Sequence, residues 1–358
     1  MPIFDQGYQH WNGRFSSHAW RWLAVTRQGV RQQIGRRWWT KWLVAAAFVP
    51  GFVLAGVLIF WGLFEQQSAL LQPIMSLLQA LPDAVRNGPK EYRLAVWTFA
   101  FDWFFRVETF FSMLLVLAVG PDLVSQDLRF NALPLYFSRP VRRFDYFLGK
   151  LGVIAFFLAI VAIGPAMAAY AIGVAFSLDL SVLRDTWKLL LGSILYGVVV
   201  TVSAGMLMLA ISSLSRNSRL VGATWVGLWI VSSITAEVLM VTVEQPWCPL
   251  VSYSTNLQRM REEVLDMPGA RGKFLALWES GREARERAAR TAVLFGGLNR
   301  GRQRGRRPPV DPNATPPGLE TPEHLKHPWT WSGGVLGGLF VASLLTLSTR
   351  VKSMDRLK

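Results

Sequence analysis

The chain has 358 residues, 51% of them hydrophobic, with 16 tryptophans, 22 phenylalanines and a formal net charge of +15. Several apolar runs reach the roughly 20 residues that cross a hydrocarbon core of about 30 Å. This excludes an ordinary soluble domain, and it ties the positive charge to membrane orientation and anionic head groups rather than to nucleic acid. The single cysteine, Cys248, excludes an internal disulfide framework and a cysteine-held metal cluster.

The opening residues, MPIFDQGYQHWNGRF, lack the apolar core of a signal peptide, so the first span is expected to direct insertion. Residues 1–42 form an N-terminal segment in which 14–37 are predicted to be an amphipathic helix lying in the interface. Phe15, Ala19, Trp22, Leu23, Val30 and Ile34 fall on one side of it, and Arg21, Gln28 and Gln32 on the other. The simpler alternative is a basic juxtamembrane segment that serves orientation alone. Trp38, Trp39 and Trp42 suit the water boundary.

Five spans are predicted within 43–243, over about 43–64, 100–119, 151–176, 187–211 and 220–243. The second opens near Trp97 or Trp103, after an outer loop (65–96) containing Pro73, Pro82 and Pro89. It carries Asp102, Arg106 and Glu108. Asp102 and Arg106 are four residues apart and can pair on one helix face. Charges inside a span are costly and face protein or water. Because all three lie toward one end of the run, the reading favoured is a later helix start that leaves them in the outer head-group zone.

Gly164 and Pro165 predict a kink in the third span. Gly192, Gly197, Ser203 and Gly205 predict close packing of the fourth. Residues 244–330 form a long basic loop. Within it GKFLALWESGREARERAARTAVLF reads as a helix, and the Arg-, Pro- and Gly-rich stretch that follows reads as disordered. Residues 331–358 supply a sixth span, about 331–347, and a basic tail. Inner segments carry 18 Lys and Arg against four in the two short outer loops. That bias places both termini and residues 120–150 in the cytoplasm, with the chain in the plasma (inner) membrane. The 244–330 loop falls outside by parity despite its 14 basic residues, since long loops cross largely regardless of charge. A further span or a re-entrant hairpin near 231–255 would move it inside.

Motifs for chemistry are lacking. PGARGKF has neither the first glycine nor the Ser/Thr of a phosphate-binding loop, so this chain does not hydrolyse ATP itself. There is no H-E-x-x-H and no G-x-S-x-G. The four histidines lie in terminal or loop segments, and the Pro-rich surroundings of His324 and His327 do not suit a metal pair. The chain is not expected to be an enzyme or to hold a cofactor.

The informative stretch runs from Gly120 to Lys150, GPDLVSQDLRFNALPLYFSRPVRRFDYFLGK, a polar, basic segment between two apolar runs. It carries Gly120, Asp122, Asp127 and Arg129. Leu133, Leu135, Tyr136 and Phe137 follow, then Ser138-Arg139-Pro140-Val141-Arg142-Arg143, and then Tyr146, Phe147, Gly149 and Lys150. This order resembles the membrane subunits of ABC-2-type export permeases. In that family an acidic turn after the second span leads to a short amphipathic coupling helix, a Ser/Pro/Arg stretch and an aromatic-Gly-Lys entry to the third span. The wider layout is similar too, with an amphipathic helix ahead of six spans, a Ser-rich turn after the fourth and a basic tail. Pro134 and the length of 244–330 depart from the pattern.

The resemblance implies an all-α polytopic fold with a cytoplasmic coupling helix, and a permease that works as a dimer with a second copy or a paralogue. A separate ABC ATPase subunit would hold the ATP and Mg. Coupling residues carried over are Asp127, Arg129, Leu135, Tyr136, Phe137, Arg139, Pro140, Arg142 and Arg143. Leu135, Tyr136 and Phe137 would act as apolar anchors in a groove of the ATPase. Arg139, Arg142 and Arg143 would pair with its acids or with lipid phosphates. The alternatives are a membrane anchor that docks an ATPase without moving a solute, and a secondary transporter. The latter is disfavoured by the absence of an inverted repeat. Nothing in the sequence names the substrate.

Overall fold

The computed structural model describes residues 20–36, 38–74, 82–132, 136, 142–177, 179, 181–295 and 319–355, and every regular element among them is helical. An amphipathic helix, α1 (Arg21–Arg36), precedes the first span, which is built from α2 (Trp38–Ala47) and α3 (Val49–Glu65). A short α4 (Asp83–Asn87) leads into α5 (Pro89–Val119), and α6 (Pro121–Arg129) completes the second span. The third consists of α7 (Arg143–Leu158), a π-helical turn (Ala159–Ile163) and α8 (Gly164–Ser177). Then come α9 (Ser181–Leu214), α10 (Ser218–Thr242), α11 (Tyr253–Val264), α12 (Met267–Phe295) and α13 (Trp329–Asp355). Six helical units are long and apolar enough to cross a membrane: Trp38–Glu65, Pro89–Arg129, Phe144–Ser177, Ser181–Leu214, Ser218–Thr242 and Trp329–Arg350.

Most of these units extend beyond the apolar runs that reveal them. The cause is the backbone: in lipid a helix must satisfy its own N–H and C=O groups, so it continues until water or a capping group is at hand. The second unit begins at Pro89, not near Trp97 or Trp103, so Asp102, Arg106 and Glu108 lie well inside the helix rather than at its start. Proline marks the starts and breaks. Pro50, Pro89 and Pro121 sit in first turns, where a missing N–H is no loss. Pro165 follows the π-helical turn, whose extra residue takes up the carbonyl that the proline ring displaces.

The fourth span is the packing centre. α9 lies against α13, α6, α7 and α5, while α3 runs along α8. A Cβ at Gly205 would stand 2.6 Å from Leu151 Cδ1, so α9 and α7 pack closely here and a larger residue would require Leu151 to move.

Residues 244–266 fold back into the bundle. α10 ends at Thr242, yet the Tyr253 N–H donates to Ser232 Oγ at 3.3 Å, ten residues back along that helix. Ten residues of helix correspond to about 15 Å of depth. Tyr253 and Ser203 hydroxyls are 3.0 Å apart, deep against α9. α11 then climbs outward, and α12 meets the start of α5: Phe274 packs on Tyr92 and Phe99, and Lys273 donates to the Glu91 carbonyl. A re-entrant hairpin therefore exists, but it returns to the end it left. It does not change the side of the residues that follow, contrary to the sequence-based alternative.

At that same end, one buried guanidinium ties three helices. Arg93 Nε lies 2.8 and 3.0 Å from the two Glu65 oxygens, and Nη1 lies 3.2 Å from Ser181 Oγ and 3.4 Å from Asp185. Lys90 reaches Asp179 at 2.9 Å and, with the Ser181 amide, holds that carboxyl well below the usual carboxylate range. Removing one partner of a buried pair leaves the other charge exposed to the full desolvation cost. Glu65→Leu is therefore expected to destabilise the detergent-solubilised protein by about 3 kcal/mol. Glu283→Ala, which breaks an exposed 2.8 Å pair with Arg287, should cost less than about 0.5 kcal/mol. Graded unfolding in denaturing detergent, followed by tryptophan fluorescence, checks the contrast, and equal midpoints would contradict it.

Candidate functional site

The second span bends where α5 ends and α6 begins. Gly120 still donates to the Val116 carbonyl at 2.8 Å, but Pro121 has no N–H to continue the ladder. The amides of Val124 and Ser125 are left as helix N-terminal donors. Ser212, in the last turn of α9, supplies what is missing: its Oγ accepts from Val124 N at 3.2 Å and Ser125 N at 3.0 Å and donates to the Pro121 carbonyl at 2.9 Å. Ser125 and Ser218 hydroxyls, 2.8 Å apart, pin the same helix to the start of α10. Asn217 caps α10, accepting from Arg219 N at 3.0 Å.

α6 stops at Arg129 because Asn131 turns left-handed, at φ 50°, a conformation asparagine tolerates, and Ala132 N returns to the Asp127 carbonyl at 2.9 Å. The Tyr136 N–H then bonds to the Ala132 carbonyl at 3.3 Å. On the other side, α7 starts after Arg142, whose backbone N–H donates to Asp145 at 3.2 Å. This is half a capping box, since an arginine side chain has no acceptor with which to complete it.

One carboxylate oxygen joins the two sides. Asp127 Oδ2 accepts from the Tyr146 hydroxyl at 2.6 Å and pairs with Lys150 Nζ at 2.7 Å. The Lys150 ammonium lies 5.7 Å from the Tyr136 ring centroid and 5.4 Å from that of Tyr146, within cation–π range. The two tyrosine rings meet edge to face at 5.2 Å. Burial, and then the Asp127 charge, push the Tyr136 phenol above its ordinary range. α1 closes the block. Thr26 Oγ1 donates to the Gly149 carbonyl at 2.9 Å, and a Cβ on Gly149 would lie 2.6 Å from Val25 Cβ and 2.9 Å from the Trp22 carbonyl.

Of the residues carried over from sequence, the structure brings Asp127 and Tyr136 together. Arg129 and Arg142 are exposed, and Arg129 lies 5.5 Å from the Phe130 ring. Arg143 opens α7. Leu135, Phe137, Arg139 and Pro140 lie outside the described residues, as do 14–19 of the amphipathic helix and 296–318 of the basic stretch. The side of α1 facing the protein is Thr26, Val30 and Gln33, while Leu23 and Ile34 of the expected apolar stripe are exposed. Small residues on α7 draw the helix onto the third span and turn part of its stripe outward.

Among the intramembrane charges, Asp102 is held twice, by Arg106 at 3.0 Å and by Arg261 of α11 at 2.7 Å. Neither oxygen of the buried Glu108, nor the nearby Ser112 hydroxyl, has a hydrogen-bond partner among the described residues.

Sequence reasoning missed Ser212, Ser218 and Thr26 individually. The Ser-rich turn after the fourth span was the available signal for the first two. Among the described residues the arrangement has no nucleophile–base pair. Among the described residues no group of three or more His, Cys, Asp or Glu could hold a metal ion. What it offers is mechanical: two spans, a surface helix and the connecting segment fixed to one another.

A profile of ABC-2 family transporter proteins matches residues 24–260, from within α1 to within α11. The chain belongs to the ABC-2 transporter family. No curated protein and no solved structure matches it. The matched region of this ABC-2 membrane component contains the block from Thr26 to Lys150 just described.

The close contact at Gly149 yields an expectation. Gly149→Val forces α1 off α7, and overpacking of this kind costs about 1–3 kcal/mol. Hydrogen-exchange protection across residues 21–36 should fall by about tenfold or more, with the far end of the bundle unchanged. Unaltered protection would show that α1 does not depend on this contact.

Proposed function

We propose that this ABC-2 membrane component is the permease subunit of an ATP-driven exporter. It would take its energy from a separate ABC ATPase, which holds the ATP and Mg, and would work as a pair of permease chains. The observation that supports this best is the way residues 121–132, 136 and 142–150 are fastened to neighbouring helices. The connecting segment leaves the end of the second span, which Ser212 and Ser218 tie to the fourth and fifth spans, and Asp127 ties that same end to the start of the third. A connector that only linked spans would not need such fastening, whereas a segment that receives a push from a soluble partner does.

In this reading the block faces the cytoplasm of a cell with the chain in its plasma membrane, and both termini lie on that side. The end with the Arg93 cluster and α12 faces out. The loop from 244 to 328 then lies outside, since the re-entrant hairpin preserves parity. Docking falls to Leu135 and Phe137, with Arg139, Arg142 and Arg143 on the rim. Tyr136, one of the three expected anchors, is turned toward its own chain. Apolar anchors at the centre of an interface outweigh rim charges.

Two measurements test this. With Cys248 replaced by serine, a cysteine at position 126 should resist an impermeant thiol reagent applied outside intact cells; labelling from outside would invert the topology. The ATPase should co-purify with the wild-type chain and be lost from Leu135→Ala/Phe137→Ala, while Arg142→Ala retains it. A double variant that keeps the ATPase at wild-type yield would return the protein to the anchor or carrier readings.

A further inference from the structure

We infer that Asp127, Tyr146 and Lys150 form a latch that makes the connecting segment, the end of the second span and the start of the third move as one body. Tyr136 is its contact with the segment. The inference rests on the proposed ATPase partnership, and it assigns these four as positioning residues rather than docking residues.

Lys150 lies nearly two turns inside the third span and is only 8% exposed, so it is not a lipid-facing anchor of the usual basic kind. Its ammonium faces one carboxylate, Asp127, at 2.7 Å and two aromatic rings at 5.4 and 5.7 Å. Tyr146 is fully buried and donates to the same Asp127 oxygen at 2.6 Å. Two donors from α7 thus converge on a single atom of α6.

α6 is itself fastened to other spans. Its N-terminal amides are held by Ser212 of α9, and Ser125 meets Ser218 of α10. A displacement of Asp127 therefore moves the near ends of the second, fourth and fifth spans, and through Tyr146 and Lys150 the third. Apolar contacts alone can slide past one another. A mostly desolvated charge pair cannot separate without leaving an uncompensated charge, and this makes the junction stiff in the direction of a push. Tyr136 transmits that push because its ring packs against both the ammonium and the Tyr146 ring. Its phenol, kept in the neutral form by burial and by Asp127, adds no competing charge.

The test uses the full chain in two settings. In the purified permease alone, Lys150→Met should raise hydrogen exchange across residues 127–132 and 142–146, and Lys150→Arg, which keeps the charge over the rings, should restore protection. In the complex with its co-purified ATPase in lipid nanodiscs, spin labels on cysteines at positions 86 and 184 report the far end. Wild type should change its label distance on ATP addition. Lys150→Met should retain the ATPase and hydrolyse ATP without that change. Asp127→Asn/Lys150→Met should be no worse than either single variant, as expected of two halves of one junction. Unaltered exchange in Lys150→Met, or a wild-type distance change in that variant, overturns the latch. A wild-type permease that captures no ATPase overturns the parent reading, and hydrogen exchange in the permease alone then decides whether the junction is stiff.

Discussion

A helix in lipid cannot break unless another group replaces the hydrogen bonds it gives up, and the break on which this molecule depends is at Gly120–Pro121. Proline removes the donor, the chain bends, and two amides and a carbonyl open toward the neighbouring span. Ser212 answers all three with one hydroxyl. Because that hydroxyl comes from the end of α9, the bend fixes where the fourth span lies against the second. Because Ser125 in the bent helix meets Ser218, it also fixes where the fifth begins. The same bend aims Asp127 at the third span. Three helix–helix relationships thus follow from one proline and the hydroxyl that compensates it.

The opposite end is fastened by different chemistry. There Arg93 and Glu65, both almost fully buried, join the first and second spans, and Ser181 and Asp185 add the fourth. Asp102 makes a second such tie, holding the re-entrant α11 through Arg261. Charge pairs of this kind are costly to desolvate, and they hold because each cation faces several oxygens. In the span body, Trp225 adds a neutral tie, its indole donating to the Met113 carbonyl at 3.2 Å. The bundle is therefore joined across its outer and middle layers by side chains that reach between spans, while the near end is joined by a proline bend and its caps.

The number of spans and the site's position in the chain were legible because both rest on local composition: runs of apolar residues, and a basic segment between two of them. The i, i+4 spacing likewise shows the Asp102–Arg106 pair. Arg261 was out of reach, since 159 residues separate it from Asp102 and no local pattern links them. The start of the second span was misplaced because hydropathy sees only apolar side chains, whereas the helix runs on through Tyr92 and Arg93 to a proline that can begin it. Arg93 itself looked like a loop cation and is a buried structural one. Tyr136 was read as an anchor from its place in an apolar triplet. Its true neighbours are set by Asn131, whose left-handed turn redirects the chain, and sequence pattern does not show which way such a turn sends it.

The two ends also differ in what they permit. A cluster such as Arg93 with Glu65, Asp185 and Ser181 has several acceptors around one cation, so small rotations exchange one contact for another and leave the ends of three helices room to rock about it. The Asp127 junction has the reverse geometry, with donors from Tyr146 and Lys150 focused on one acceptor oxygen. It tolerates little rotation before a buried charge is left alone. A body held stiffly at one end and pivoted at the other behaves as a lever. Under the proposed function, motion delivered to the near end by the connecting segment would be carried along the second and third spans and emerge as relative displacement at the far end. The π-helical turn at Ala159–Ile163 lies midway along this path and packs against both α5 and α9. An i→i+5 turn is less regular than the α-helix on either side of it, so it is the place in the third span where such a displacement can be absorbed without breaking the helix.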